Sequence, residues 1–153
     1  MFIIRVIQAL SKHQVRYALV GGYAVALHGV VRGTVDIDVV IGWQKTQFTA
    51  AEQALTEIGL QSQLPVSGEE VFDFREEYIR NRNLIAWSFY NPKNPLEVVD
   101  ILITEDARKI QTTGKKVDRL NIQVASIDEL IRMKTLSARP QDVEDVKALE
   151  KLR

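Results

Sequence analysis

The chain has 153 residues, 46% of them hydrophobic, enough for one domain-sized core. Lys plus Arg and Asp plus Glu each number 20, so there is no global field to draw nucleic acid or an anionic membrane. With no cysteine and two histidines, disulfides and thiolate sites are excluded and imidazole zinc chemistry is disfavoured; oxygen ligands remain, and they suit Mg2+ or Mn2+.

In chain order, Ile3, Ile4, Ile7 and Leu10 stand close to helical spacing and predict a helix over residues 2–13 with one apolar face. Arg5 and Lys12 break any signal-peptide core there, and no apolar run reaches the roughly 18 to 20 residues of a membrane span, so no membrane association and a cytoplasmic chain are expected. Tyr17-Ala-Leu-Val20 reads as a short buried strand running into Gly21-Gly22, with a helix from Tyr23 to His28 that Gly29 ends. Val35-Asp-Ile-Asp-Val-Val-Ile41 is rich in β-branched residues and reads as a second strand. Thr46 to Ile58 predicts a helix stopped by Gly59, whereas residues 61–83 give no clean period. Leu84–Tyr90 and Leu96–Ile103 read as a hairpin around Asn91-Pro-Lys-Asn-Pro95, and Thr104–Ile110 as a short helix. Val117 and Leu120 to Val124 flank a further short strand or turn. Ser126-Ile-Asp-Glu129 has the spacing of a capping box and opens a helix to about Ser137. Arg139-Pro140 starts a last helix, with Val143, Val146, Leu149 and Leu152 expected toward the core. The whole, residues 1–153, is expected to be one unit, α/β (α+β), with the helices from about residue 126 packed on it.

The chemistry concentrates in three acids. Strand alternation puts Asp36 and Asp38 on one face, about 7 Å apart, close enough to converge on one cation or a metal pair. Asp100 lies in the otherwise apolar stretch Val98-Val-Asp-Ile-Leu102, and an unpaired buried carboxylate costs several kcal/mol. A third metal ligand, on a strand beside that of Asp36, satisfies it and lets three carboxylates hold two magnesium ions. Gly21-Gly22 gives backbone access to a ligand, and the amides that follow suit phosphate.

Arranged as Leu19-Val20-Gly21-Gly22, thirteen intervening residues, Asp36-Ile37-Asp38-Val39, and later Val98-Val99-Asp100-Ile101-Leu102, these elements resemble the DNA polymerase beta-like nucleotidyltransferases. Gly21 to Ala24, Arg32, Thr34, Asp36, Asp38, Lys134, Arg139, Pro140, Asp142 and Asp145 further resemble the minimal proteins related to the AbiEii abortive-infection toxins. The resemblance implies a mixed central β-sheet with flanking helices and transfer of a nucleoside monophosphate from a nucleoside triphosphate to a hydroxyl. It implies Asp36, Asp38 and Asp100 as metal ligands, Asp100 also as base, and Gly21 and Gly22 as the triphosphate seat. Many superfamily members carry Ser at the second glycine position, where its hydroxyl touches phosphate; Gly22 has none to offer.

Several residues admit two readings. Arg32 and Thr34 either contact phosphate or brace the loop before the acidic strand. Lys134 is either a surface lysine or a nucleotide contact. Asp142 and Asp145 suit the first turns of a helix without any catalysis, and His28 suits a helix end. Trp87, Phe89 and Tyr90 read as core and cover rather than a base-stacking platform. The acceptor is open among transfer RNA, a protein hydroxyl and a small molecule, and a homodimer or an antitoxin partner is an expected assembly. The alternative function is a catalytically weak, nucleotide-binding regulatory or toxin-antitoxin component of the same fold.

Overall fold

The computed structural model describes residues 1–31, 33 and 36–153. Arg32, Thr34 and Val35 lie outside the described residues, and so do the two contacts expected of Arg32 and Thr34.

The first helix, α1 (Phe2–Lys12), buries Ile3, Val6, Ile7, Ala9 and Leu10 and follows the predicted bounds closely. β1 (Tyr17–Val20) is buried along its whole length. α2 (Gly21–Leu27) begins two residues before the expected start, at the glycine pair itself. β2 (Ile37–Ile41) is followed by α3 (Lys45–Glu57), which packs against α1. The unreadable stretch contains β3 (Gln61–Ser62), α4 (Gly68–Asp73) and α5 (Arg75–Arg82). A reciprocal capping box starts α4: Ser67 Oγ accepts from the Glu70 amide at 3.2 Å while Glu70 Oε1 accepts from the Ser67 amide at 3.1 Å.

β4 (Ala86–Asn91) and β5 (Asn94–Leu102) form the expected hairpin, turning at Pro92-Lys93. The predicted helix over Thr104–Ile110 shrinks to a 3-10 turn at Ala107–Lys109, whose start Asp106 caps by accepting from the Arg108 amide. β6 (Thr112–Val117) and β7 (Leu120–Ala125) make a second hairpin, with Asp118 at φ 53° in its turn. α6 (Ile127–Ser137) is capped by Ser126, and α7 (Pro140–Leu152) opens on its proline.

The expectation for α7 holds only in part. Leu149 is buried as expected, but Val143 and Leu152 are 44% and 46% exposed, and Asp142 and Asp145 share the inward face with Leu149. Those positions also stand at helical spacing, and pairing with a buried lysine on α6 decides which face goes inside.

Among the described residues the strands form one seven-stranded sheet in the order β3-β4-β5-β2-β1-β7-β6. β2 pairs antiparallel with β1 and parallel with β5, and β1 pairs parallel with β7, so the sheet is mixed. Its registers line up Val124, Leu19, Val39, Ile101 and Trp87 in one transverse row, every one fully buried. Trp87 stacks on Phe48 of α3 at 6.1 Å between centroids, and its indole N–H donates to Ser62 Oγ at 3.1 Å. Trp87 and Phe89 are thus core, as expected. No helix among the described residues is long and apolar enough to cross a membrane.

Candidate active site

Strand alternation turns the neighbouring row to the opposite face of the sheet: Val20 of β1, Asp38 of β2, Asp100 of β5 and Ser88 of β4. Asp38 and Asp100, 62 positions apart, therefore sit side by side on parallel strands about 4.8 Å apart. Each is half-buried, and Ser88 Oγ donates to Asp100 Oδ1 at 2.6 Å. Burial, then the charge of Asp100, then that of Asp36 push the Asp38 carboxyl up to about 6, against the opposing pull of Lys134. Asp36 lies exposed one residue ahead of β2 and joins the pair through its charge.

The glycine pair enters because Val20 lies opposite Asp38 and the chain passes from Val20 straight into α2. Gly21 has φ +68°, and a Cβ on it would stand 2.1 Å from Asp38 Oδ2. Backbone conformation and the carboxylate thus both demand glycine there. Gly22 is buried in the first turn of α2.

Lys134, read as either surface or site, is 7% exposed, with its ammonium 2.9 Å from Asp145 Oδ2 and 3.4 Å from Asp142 Oδ1. Asp142 and Asp145, read from the sequence as acids suited to a helix start, are 1% and 2% exposed. Burial alone would raise the Asp142 carboxyl, but bonds from Arg139 and Ser137 outweigh it and hold the group well below the usual carboxylate range. His28 closes α2, with its Nε2 2.8 Å from the Ala125 carbonyl, a helix-end role. Arg75, Arg80 and Arg82 lie on α5, which buries none of its residues, and the Arg75 guanidinium lies 3.6 Å from the Trp43 ring centroid. Sequence reasoning missed Ser88, whose link to Asp100 depends on strand register, and the pairing of Lys134 with both acids; the Lys134…Asp142…Asp145 spacing was the available signal.

Among the described residues no three Asp, Glu or His side chains form a ready-made metal cage. The donor set nevertheless fits a hard divalent cation: the Asp38–Asp100 pair is all oxygen, crowded, and destabilised by a third negative charge from Asp36.

No protein-family model matches the sequence, and no curated protein matches it significantly. Solved structures do. ANT(2'')-Ia, an antibiotic-resistance factor, superposes with a TM-score of 0.65 at 11% identity, over 97% of this chain and 80% of that one. The lincomycin-bound lincosamide adenylyltransferase LnuA gives 0.63 at 16% identity, over 99% and 96%. An antigenic nucleotidyltransferase-like protein from Paracoccidioides brasiliensis gives 0.62 at 18%, over 99% and 75%. The α/β architecture described above is the nucleotidyltransferase fold.

Proposed function

We propose that this chain, built on the nucleotidyltransferase fold, transfers a nucleoside monophosphate from a nucleoside triphosphate to a hydroxyl acceptor. The observation that carries the reading is the in-register pair Asp38–Asp100, with Asp38 pushed up to about 6 by burial and neighbouring acids. Such crowding is expensive in an apoprotein and is what a charge-binding site requires.

In this reading Asp36, Asp38 and Asp100 hold Mg2+ or Mn2+. The bound metal supplies Lewis-acid neutralisation of triphosphate charge and acidifies the attacking hydroxyl. The protein's own groups do the rest. Gly21 and Gly22 let the backbone approach the triphosphate. Asp100, steadied by the Ser88 hydroxyl, receives the acceptor's proton as its oxygen bonds to the α-phosphorus. The bond from that phosphorus to the bridging oxygen of the β-phosphate breaks, and pyrophosphate leaves.

Two of the structural neighbours are tied to antibiotics: one is ANT(2'')-Ia in complex with adenylyl-2''-tobramycin, the other the lincosamide adenylyltransferase. With net charge zero, a small-molecule hydroxyl suits this chain better than nucleic acid. Kinship with the AbiEii toxins rests on the Gly21–Ala24 and Lys134 to Asp145 motifs.

The test is calorimetric titration of each of the four nucleoside triphosphates, with magnesium, into wild type and an Asp36→Asn, Asp38→Asn double variant. Metal-dependent binding to wild type alone is the expected result. No binding to wild type overturns the proposal.

A further inference from the structure

The C-terminal helix hairpin carries a buried charge cluster that the reaction scheme leaves unused. Lys134 of α6 sits between Asp142 and Asp145 of α7, all three less than a tenth exposed. Each acid is itself fixed. Asp142 Oδ2 accepts from Ser137 Oγ at 2.7 Å, from the Arg139 amide at 3.1 Å and from Arg139 Nε at 2.8 Å. Asp145 Oδ1 accepts from Gln141 Nε2 at 3.0 Å. Packing two helices does not call for such a cluster, since apolar side chains of similar volume usually serve as well or better. Its presence points to a use for the charge.

Location supplies the use. α6 packs against α2, the helix opened by Gly21-Gly22, and the Lys134 charge is felt by Asp38. An ammonium has three N–H groups, and among the described residues those of Lys134 bond to Asp142 and Asp145, leaving one for a ligand oxygen. We propose that Asp142 and Asp145 are positioning residues that hold the Lys134 ammonium at the rim of the Asp38–Asp100 pair, where it meets the triphosphate. The α6–α7 hairpin thereby completes the nucleotide site. This inference rests on the proposed function and adds a role for two acids that touch no substrate.

The probe is inorganic tripolyphosphate with magnesium, which carries the charge without a base, titrated into the full chain. Wild type binds, while Lys134→Met and Asp145→Asn each bind about tenfold more weakly, the loss of one charge-assisted contact. The Lys134→Met, Asp145→Asn double variant binds no worse than Lys134→Met, because both act through one ammonium. Asp145→Glu recovers part of the affinity. Gln141→Ala, at an exposed position, loosens Asp145 without deleting a charge and weakens binding about twofold to threefold; it serves if Asp145→Asn does not fold. Unchanged affinity in Asp145→Asn, or in Gln141→Ala where that variant stands in, overturns the inference and leaves the proposed function standing, as do additive losses in the double variant. Failure of wild type to bind tripolyphosphate while it binds a nucleoside triphosphate overturns the inference alone; failure to bind either overturns both.

Discussion

Asp38 carries a cost that can be read from its proton. Its carboxyl is pushed from 3.8 to about 6 in the folded chain, so between those values the folded state holds the proton more tightly than the unfolded one. Folding stability therefore falls as pH rises through that window, by on the order of 2–3 kcal/mol from this group alone. Asp38→Asn, neutral and of equal size, removes the penalty: thermal melts at pH 7 should show it several degrees more stable than wild type, with the gap closing toward pH 4. A variant that loses turnover while gaining stability separates a binding acid from a structural one. Asp142 runs the other way. Held below the usual carboxylate range, it contributes stability above pH 4 that is lost only in stronger acid. Gly21→Ala should fold poorly and bind no triphosphate, since its methyl would lie 2.1 Å from the Asp38 oxygen; circular dichroism and calorimetry check both. The three acids and the glycine pair were legible because their spacing is local or their apolar surroundings are telling. Ser88 was not, since nothing near it in the chain says that it will face Asp100.

Single elements were readable where one face is apolar and the ends are marked. α1 shows the first, and Ser126, accepting from the Glu129 amide at 3.3 Å, shows the second. Ser126→Ala should cost about 1 kcal/mol, visible as a lower denaturant midpoint with an unchanged slope. Residues 61–83 resisted because α5 buries nothing and β3 has only two residues, so neither imposes a period. The Ser67-to-Glu70 spacing is the one local signal in that stretch, a capping box that marks where α4 starts. In α7 two overlapping stripes compete, one of valine and leucine and one of aspartate and leucine. The acidic one goes inside because Lys134 is waiting for it, a partner invisible to any rule of hydrophobic periodicity.

At the scale of the whole molecule, the site depends on chain segments brought together from positions 20, 38, 88 and 100. The strands that hold them are interior to the sheet, and their other face is the core row from Val124 to Trp87. Amide exchange should accordingly be slowest in β1, β2 and β5 and fastest in α5. Comparable protection across α5 and β2 would contradict this distribution of stability. The full strand order was beyond the sequence; only the adjacency of the strands carrying Asp38 and Asp100 was anticipated, as the condition for a shared metal site.

The close approach of Gly21 to Asp38 also constrains the order in which the chain can change. While the acid stands, position 21 is locked. A lineage that first loses Asp38 to a smaller residue opens that position to side chains that tolerate its backbone, and once one arrives the acid cannot return until glycine does. The two residues thus constrain each other: a side chain at 21 bars the acid at 38, as the acid bars the side chain.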